Sequence, residues 1–174
     1  MDYIAGVIIK HGVKGIIIDT NLLILLIVGV YDIGYIEKIS RVKNKGYTSE
    51  DFKALSNLVA CFKTIYITPQ ILAELSNLSF KEGKKIDCYD EEFEAYVMNV
   101  VEIINNSKED FTTKEDLIKF PYFRKFGFTD MSILSLAQKE SLPVITDDLR
   151  LHNLFINLGI ESLNMDTIRM NFIN

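Results

Sequence analysis

The sequence is poor in the residues that build zinc sites, disulfides and nucleophilic triads. It has two cysteines and two histidines among 174 residues. Cys61 and Cys88 lack a CxxC partner and a nearby histidine, so the pattern favours buried or incidental thiols in a reducing compartment. His11 and His152 lie far apart with no nucleophile beside them, and we expect packing or surface roles for both.

Long apolar runs are also scarce. The most apolar stretch, residues 22–28, falls well short of the ~20 apolar residues that a membrane-spanning helix needs. Asp19 and Asn21 separate it from the apolar residues before it, and no positively charged leader precedes it. We therefore expect a cytoplasmic protein without membrane contact.

An excess of positive charge is missing as well. The net charge of −5 argues against a protein that coats nucleic acid by bulk electrostatics, but it is compatible with an enzyme that meets phosphate through bound cations. Repeats, low-complexity tracts and glycine-rich linkers are absent. The length suits one core, so we predict a single domain over residues 1–174, with an N-terminal arm over about 1–14 and a helical insertion over about 81–127.

What the sequence does contain is an alternation of short apolar strands and helices. Ile16 to Ile18 are typical of a strand buried on both faces in a parallel sheet. Further strands are expected at residues 65–67, 143–145 and 160–163, and residues 4–9 are read as an extra strand or part of the arm. Helices are expected at 22–30, from 48, from 68, and at 89–106, 113–119, 129–139 and 150–158. This order predicts an α/β fold with a mainly parallel sheet.

Carboxylates directly follow two of these strands. Asp19 comes after the isoleucines, with Asn21 two residues on, and Asp147 and Asp148 follow the strand near residue 145. In open α/β sheets the carboxyl ends of the strands border the ligand crevice, so these acids are candidate site residues. Each could instead cap the helix that follows, although two adjacent acids exceed what one cap requires.

Two further acids occupy less distinctive positions. Glu74 falls about 40° from Leu78, at the edge of the apolar stripe of its helix, where it can turn to solvent or point into a cleft. Asp130 opens a helix after Phe128 and Thr129, and the helix dipole favours an acid there in any protein. Neither feature is specific on its own.

Taken in order, these motifs resemble those of the PIN-domain ribonucleases, which include the VapC-like toxins of toxin–antitoxin pairs. The resemblance covers residues 15 to about 163, and the segment between Leu75 and Asp130 is longer than in compact toxin members. The matching residues are Ile18-Asp19-Thr20-Asn21, then Glu74, then Phe128-Thr129-Asp130 with Ile133, Leu134 and Ala137, and finally Val144-Ile145-Thr146-Asp147-Asp148.

The resemblance implies a three-layer α/β/α Rossmann-like PIN domain and an endoribonuclease that depends on Mg²⁺ or Mn²⁺. It also implies an RNA substrate, homodimers and, for a toxin, an antitoxin partner. The family pattern Thr-x-Asp makes Asp148 the fourth acid, with Asp147 as the alternative. The implied catalytic metal ligands are Asp19, Glu74, Asp130 and Asp148, supported by Asn21 and Thr146.

Electrostatics gives a reason for such a cluster to bind cations. Two carboxylates ~5 Å apart repel by roughly 3 kcal/mol at an effective dielectric constant near 20. A fold that gathers several must protonate some of them or bind hard cations such as Mg²⁺ or Mn²⁺. A cation held there can activate water and neutralise charge on a phosphoryl group.

Two other functions compete with this hypothesis. An aspartate-nucleophile phosphatase would want Asp-x-Asp after the first strand, whereas Asn21 occupies the second position. A PIN-like scaffold that binds RNA or a protein without cleaving is the non-enzymatic alternative. A solvated surface is favoured over RNA contact for the basic residues Arg41, Lys43, Lys45, Lys81, Lys84 and Lys85. Core filling is likewise favoured over base stacking for the aromatic and basic stretch at residues 120–126.

Overall fold

The computed structural model describes residues 2–38, 42, 44–79 and 91–172. The strands are β1 (Ile16–Ile18), β2 (Ile65–Ile67), β3 (Lys108–Glu109), β4 (Val144–Thr146) and β5 (Ser162–Asn164). The first helices are α1 (Tyr3–His11), α2 (Thr20–Tyr31), a 3₁₀ turn (Ile33–Tyr35), α3 (Ser49–Val59) and α4 (Pro69–Ser79). They are followed by α5 (Glu91–Asn105), α6 (Lys114–Lys119), α7 (Phe123–Glu140), α8 (Leu149–Asn157) and α9 (Met165–Phe172).

All strand pairs are parallel, and the sheet order is β3-β2-β1-β4-β5. Helices flank the sheet, which makes a three-layer Rossmann-like α/β/α fold and confirms the predicted fold class. From β1 the chain crosses to β2 on one side, whereas β4 lies on the other side of β1 and leads outward to β5. Connections that leave in opposite directions open a crevice at the carboxyl ends of β1 and β4.

The centre of the molecule is built from β1 and α2. Ile16, Ile17 and Ile18 are completely buried, as expected for a strand covered on both faces. Every residue of α2 from Leu22 to Gly29 is buried, because this helix packs against α3, α4 and α5 as well as lying near the sheet. A helix enclosed on all sides can be apolar around its whole circumference, which explains why its sequence resembles a short membrane segment.

The N-terminal segment differs from the prediction. Residues 4–9 form part of α1 instead of a strand, and the side chain of Asp2 accepts a hydrogen bond from the Ile4 amide to cap this helix. Ile4, Val7 and His11 are its buried residues. Their spacing of three and four residues places them on one helical face, so the predicted arm is a packed helix over that range.

The predicted helical insertion contributes a strand. β3 lies within it and pairs with β2 at the edge of the sheet. Its two residues are both exposed, so it carries no apolar alternation that a sequence pattern could reveal. Residues 81–90 of the predicted insertion lie outside the described residues.

The expectations about membrane spans and about the two cysteines can be compared only with the described residues. No helix within those ranges is both long and apolar enough to cross a membrane. Cys61 is a free, exposed thiol at the end of α3, and Cys88 lies outside the described residues.

Candidate active site

Asp19 lies in the crevice between β1 and β4. The strand register pairs Ile18 with Ile145, and the Asp19 amide donates to the Ile145 carbonyl at 2.9 Å. The Thr146 hydroxyl donates to Oδ2 of Asp19 at 2.8 Å. The Asp19 side chain makes no capping hydrogen bond to α2, so the capping explanation does not account for this residue.

The surroundings of Asp19 disfavour its charged form. Only 7% of the residue is exposed, and burial raises the pKa of its carboxyl to about 6. The hydrogen bond from Thr146 opposes this rise, and the nearby charges of Asp147 and Glu74 add to it. The crevice therefore holds at least three carboxyl groups close enough to affect one another.

Glu74 reaches the same crevice from α4. The Thr20 hydroxyl, at the start of α2, donates to Oε2 of Glu74 at 3.0 Å. Ile71 and Leu75 of the same helix are buried in the core, which orients the half-buried Glu74 at the margin of that face. Of the two orientations left open by the sequence, Glu74 points towards the crevice.

Asp130 approaches from α7. Gly127 has φ 81° and ψ −167°, which interrupts the helix and starts a new turn just before Asp130. Burial, together with the charges of Asp19, Asp148 and Glu74, raises the pKa of Asp130 to about 7, although the charge of Arg150 opposes the rise. The structure thus brings Asp130 and Asp19, which are far apart in sequence, to one crevice.

Asp148 has two roles in the structure. Its Oδ1 accepts hydrogen bonds from the amides of Arg150 at 2.7 Å and Leu151 at 3.2 Å, so it caps α8. The Asp148 amide in turn donates to the Thr146 hydroxyl at 3.0 Å. Because its charge also raises the pKa of Asp130, Asp148 is both a helix cap and a member of the cluster.

Asp147 is held by three donors. Its Oδ2 accepts from the Tyr47 hydroxyl at 2.5 Å and from Nζ of Lys45 at 3.0 Å. Its Oδ1 accepts from Nδ2 of Asn21 at 3.4 Å. Burial acts to raise the pKa of Asp147, but the hydrogen bonds from Tyr47 and Lys45 outweigh it and hold that pKa below its usual value. Asp147 is therefore an ionised residue whose oxygens are already engaged.

The capping role of Asp148 predicts the effect of two substitutions on stability. Asp148→Ala is expected to lower the free energy of unfolding by about 1 kcal/mol, because two amides of α8 lose their acceptor. Asp148→Asn is expected to keep most of that stability, since asparagine also caps. Urea denaturation of the two variants measures the difference. Equal stability of Asp148→Ala and wild type would contradict the cap.

Sequence reasoning missed Tyr47 and judged Lys45 to be solvated surface. Tyr47 belongs to no recognisable motif. It lies just before α3 and contacts Asp147, 100 residues later in the chain, only because of the tertiary fold. Arg41, Lys43, Lys81, Lys84 and Lys85 lie outside the described residues. The core-filling interpretation of the stretch at residues 120–126 is supported, because Phe120, Tyr122, Phe123 and Phe126 all pack against the core.

The donor chemistry of the crevice fits a hard divalent cation, but the side chains do not form a closed cage. Among the described residues, no group of three or more aspartate, glutamate, histidine or cysteine side chains is placed to hold a metal ion. Hydroxyls, amides or an ammonium engage Asp19, Glu74, Asp147 and Asp148 instead.

One further oxygen, on the helix that carries Glu74, supports the fit of a divalent cation. Oε1 of Gln70 is buried and has no hydrogen-bond partner within the part of the chain that the structure describes. Gln70 precedes Glu74 by one helical turn, which puts both on the same face of α4. Carboxylate and amide oxygens are the ligand types that Mg²⁺, Mn²⁺ and Ca²⁺ accept in proteins.

No protein-family model matches this chain, and no curated protein or solved structure matches it either.

Proposed function

We propose that the protein is a metal-dependent endoribonuclease that hydrolyses RNA phosphodiester bonds. The observation that carries the proposal is the convergence of Asp19, Glu74, Asp130 and Asp148 at the crevice between β1 and β4. Burial and neighbouring carboxylates raise the pKa values of Asp19 and Asp130 to about 6 and about 7, and the contribution of the neighbouring carboxylates reflects that convergence. The order of the motifs, which resembles that of PIN-domain ribonucleases, points to the same activity.

Mg²⁺ or Mn²⁺ would be held by Asp19, Glu74 and Asp130, with Asp148 completing the site. When bound, the cation supplies an activated water and neutralises the charge that builds up on the phosphoryl group. A bound cation would also offset the burial and the mutual repulsion that raise the pKa values of Asp19 and Asp130. An acidic crevice thereby becomes able to accept an anionic substrate.

The hydroxyl groups in the crevice orient these acids. Thr146 donates to Asp19 and accepts from the Asp148 amide, so one hydroxyl sets the separation of two strand ends. The Thr20 hydroxyl donates to Glu74 and so orients that carboxylate. Oδ1 of Asp148 is committed to the start of α8, so Oδ2, which lies 3.6 Å from the Arg150 guanidinium, would be the oxygen that completes the site or orients the water. Rigid supports of this kind keep reacting groups in place.

The resemblance extends the proposal to biological role and partners. A VapC-like toxin would act on cellular RNA in the cytoplasm, form homodimers and be inhibited by an antitoxin protein. A gene for a small antitoxin-like protein beside this one would support that extension. The ribonuclease proposal itself does not depend on it.

A PIN-like scaffold that binds RNA or a protein without cleaving is the second candidate. The observation in its favour is that the described residues contain no group of three acids already placed around a metal position. A phosphatase is less well supported. The residue two after Asp19 is Asn21, whose amide donates to Asp147, and an amide cannot replace the second aspartate of that chemistry.

Cleavage of single-stranded RNA tests the proposal. The purified chain is expected to cut a mixed cellular RNA sample in the presence of Mn²⁺ and to leave it intact in EDTA, as seen on denaturing gels. p-Nitrophenyl phosphate serves as the parallel substrate. Turnover of the ester without RNA cleavage would favour the phosphatase, and no turnover of either would favour the scaffold.

A further inference from the structure

A cationic side chain is fixed at the edge of the acidic crevice. Nζ of Lys45 lies 3.0 Å from Oδ2 of Asp147, and the Tyr47 hydroxyl donates to the same oxygen at 2.5 Å. Asp147 in turn lies close enough to Asp19 to raise the pKa of that carboxyl. The ammonium of Lys45 is thus held beside the residues proposed to bind the metal. We call Lys45, Tyr47 and Asp147 the lysine clamp.

The clamp is anchored to the rest of the fold. Tyr47 is only 5% exposed. The next residue, Thr48, forms a reciprocal capping box with Asp51 at the start of α3. Asp51 is held by Arg169 of α9 through two hydrogen bonds of 2.7 and 3.1 Å. A buried ring on one side and a bidentate ion pair behind it restrict the movement of the segment that carries Lys45.

Lys45 nevertheless faces solvent. Its side chain is 37% exposed, whereas that of Asp147 is 11% exposed. An ammonium has three donors, and the contact with Asp147 uses one of them. A compact point charge of this kind is a common phosphate ligand in proteins. Arg150, the cation beside Asp148, is held more loosely, at 3.6 Å and with 75% of its side chain exposed.

We infer that the lysine clamp is a phosphate-binding element in which Asp147 and Tyr47 position Lys45 to contact the backbone of a single-stranded RNA next to the acidic crevice. The choice of RNA rests on the proposed function. Asp147 is then a positioning residue, and the fourth acid of the metal cluster is Asp148. This division explains why two adjacent acids follow β4.

Binding measured without cleavage tests the inference. The full chain carrying Asp130→Asn is titrated, in EDTA, into a fluorescein-labelled single-stranded RNA oligonucleotide at several salt concentrations. Lys45→Met in this background is expected to weaken binding about 3- to 10-fold at low salt. The slope of log K against log salt is expected to shrink by about 0.7, the value for one lost phosphate contact on a single strand.

Lys10→Met is the matched control. Lys10 also pairs with a carboxylate, at 2.8 Å from Glu161. Glu161 lies at the amino end of β5, whereas the crevice lies at the carboxyl ends of the strands. The Lys10→Met substitution removes the same charge as Lys45→Met and is expected to leave the salt slope unchanged. Equal losses in the two variants, or no loss with Lys45→Met, would overturn the inference. So would an absence of binding by the Asp130→Asn parent.

Two further variants separate positioning from folding. Lys45→Arg keeps the charge and is expected to retain the salt slope of the parent. A loss as large as that of Lys45→Met would mean that Lys45 acts through the local structure and not through phosphate, which would also overturn the inference. Tyr47→Phe keeps the buried ring but removes the hydroxyl, and a smaller loss of affinity is expected. A chain that binds RNA through Lys45 but never cleaves it would refute the ribonuclease and leave the clamp in place.

Discussion

Asp130→Asn is expected to reduce RNA cleavage by about 10³-fold or more while the protein remains folded. Asparagine has nearly the same shape as aspartate but no charge, so the crevice loses attraction for a divalent cation. Asp19→Asn is expected to have an effect of similar size. Initial rates on a labelled RNA with Mn²⁺ measure the loss, and circular dichroism with thermal unfolding measures the folding of both variants.

Stability is expected to move in the opposite direction to activity. Burial and the charges of neighbouring carboxylates raise the pKa of Asp130, so removing its charge relieves both the desolvation cost and the repulsion at neutral pH. Asp116→Asn is a suitable control, since it removes a charge from an exposed ion pair with Lys119 in α6. The control is expected to cleave RNA as wild type does. Undiminished cleavage by both crevice variants would exclude the proposed site.

In the metal-free protein, the contribution of Asp19 and Asp130 to stability is expected to be lost as the pH rises from about 4 to about 7. The folded-state pKa values of Asp19, about 6, and Asp130, about 7, lie above the ordinary value of 3.8. The folded state therefore binds more protons than the unfolded state over this range, and the stabilisation is present below pH 4 and lost as these groups ionise. Asp19 contributes about 3 kcal/mol, and Asp130, which is partly exposed, about 2 kcal/mol after allowance for screening.

Urea denaturation in EDTA at several pH values measures this loss. Other carboxylates such as Asp147 and Asp51 have lowered pKa values and act in the opposite direction, so the wild-type curve alone is not diagnostic. The informative quantity is the difference between wild type and the double variant Asp19→Asn, Asp130→Asn. That difference is expected to grow between pH 4 and pH 7. A constant difference would mean that the pKa values of these two carboxyls are not raised in the folded protein.

Mn²⁺ is expected to restore the lost stability at pH 7.5. A ligand present at 100 times its dissociation constant stabilises the folded state by about 2.7 kcal/mol. The melting temperature of the wild type is expected to rise with Mn²⁺ concentration until it saturates. That of the double variant is expected to stay unchanged. A wild-type protein that gains nothing would favour the scaffold over the enzyme.

The parts of the fold that follow from local pattern were predicted correctly. The isoleucines of β1, the apolar α2 and the capping hydroxyl of Thr48 are recognisable because burial and capping leave a signal within a few residues. β3 and α1 were missed for different reasons. β3 is two exposed residues long and owes its existence to the edge of β2. The apolar residues of α1 are frequent enough to suit either a strand or a helix.

The residues of the candidate site also differ in how far the sequence could predict their positions. Asp19 was identifiable because a carboxylate after a buried strand must lie at the carboxyl edge of a parallel sheet. The orientation of Glu74 was open, because a residue at the margin of an apolar stripe can face either way. The choice between Asp147 and Asp148 was open as well, since adjacent residues share every local signal. In the structure Asp148 caps α8 and Asp147 accepts from Tyr47, and the proposal that Asp148 is the fourth acid rests on this difference.

The sequence by itself determined the layer architecture, the central strand and the set of acids that can meet at its carboxyl end, because burial and strand polarity are properties of short segments. Only the tertiary structure decided which oxygens remain available, how far the pKa values of Asp19 and Asp130 rise, and that Lys45 and Tyr47 belong beside them. Electrostatic interaction depends on distance through space, and chain segments 50 to 100 residues apart acquire that distance only when the sheet is assembled.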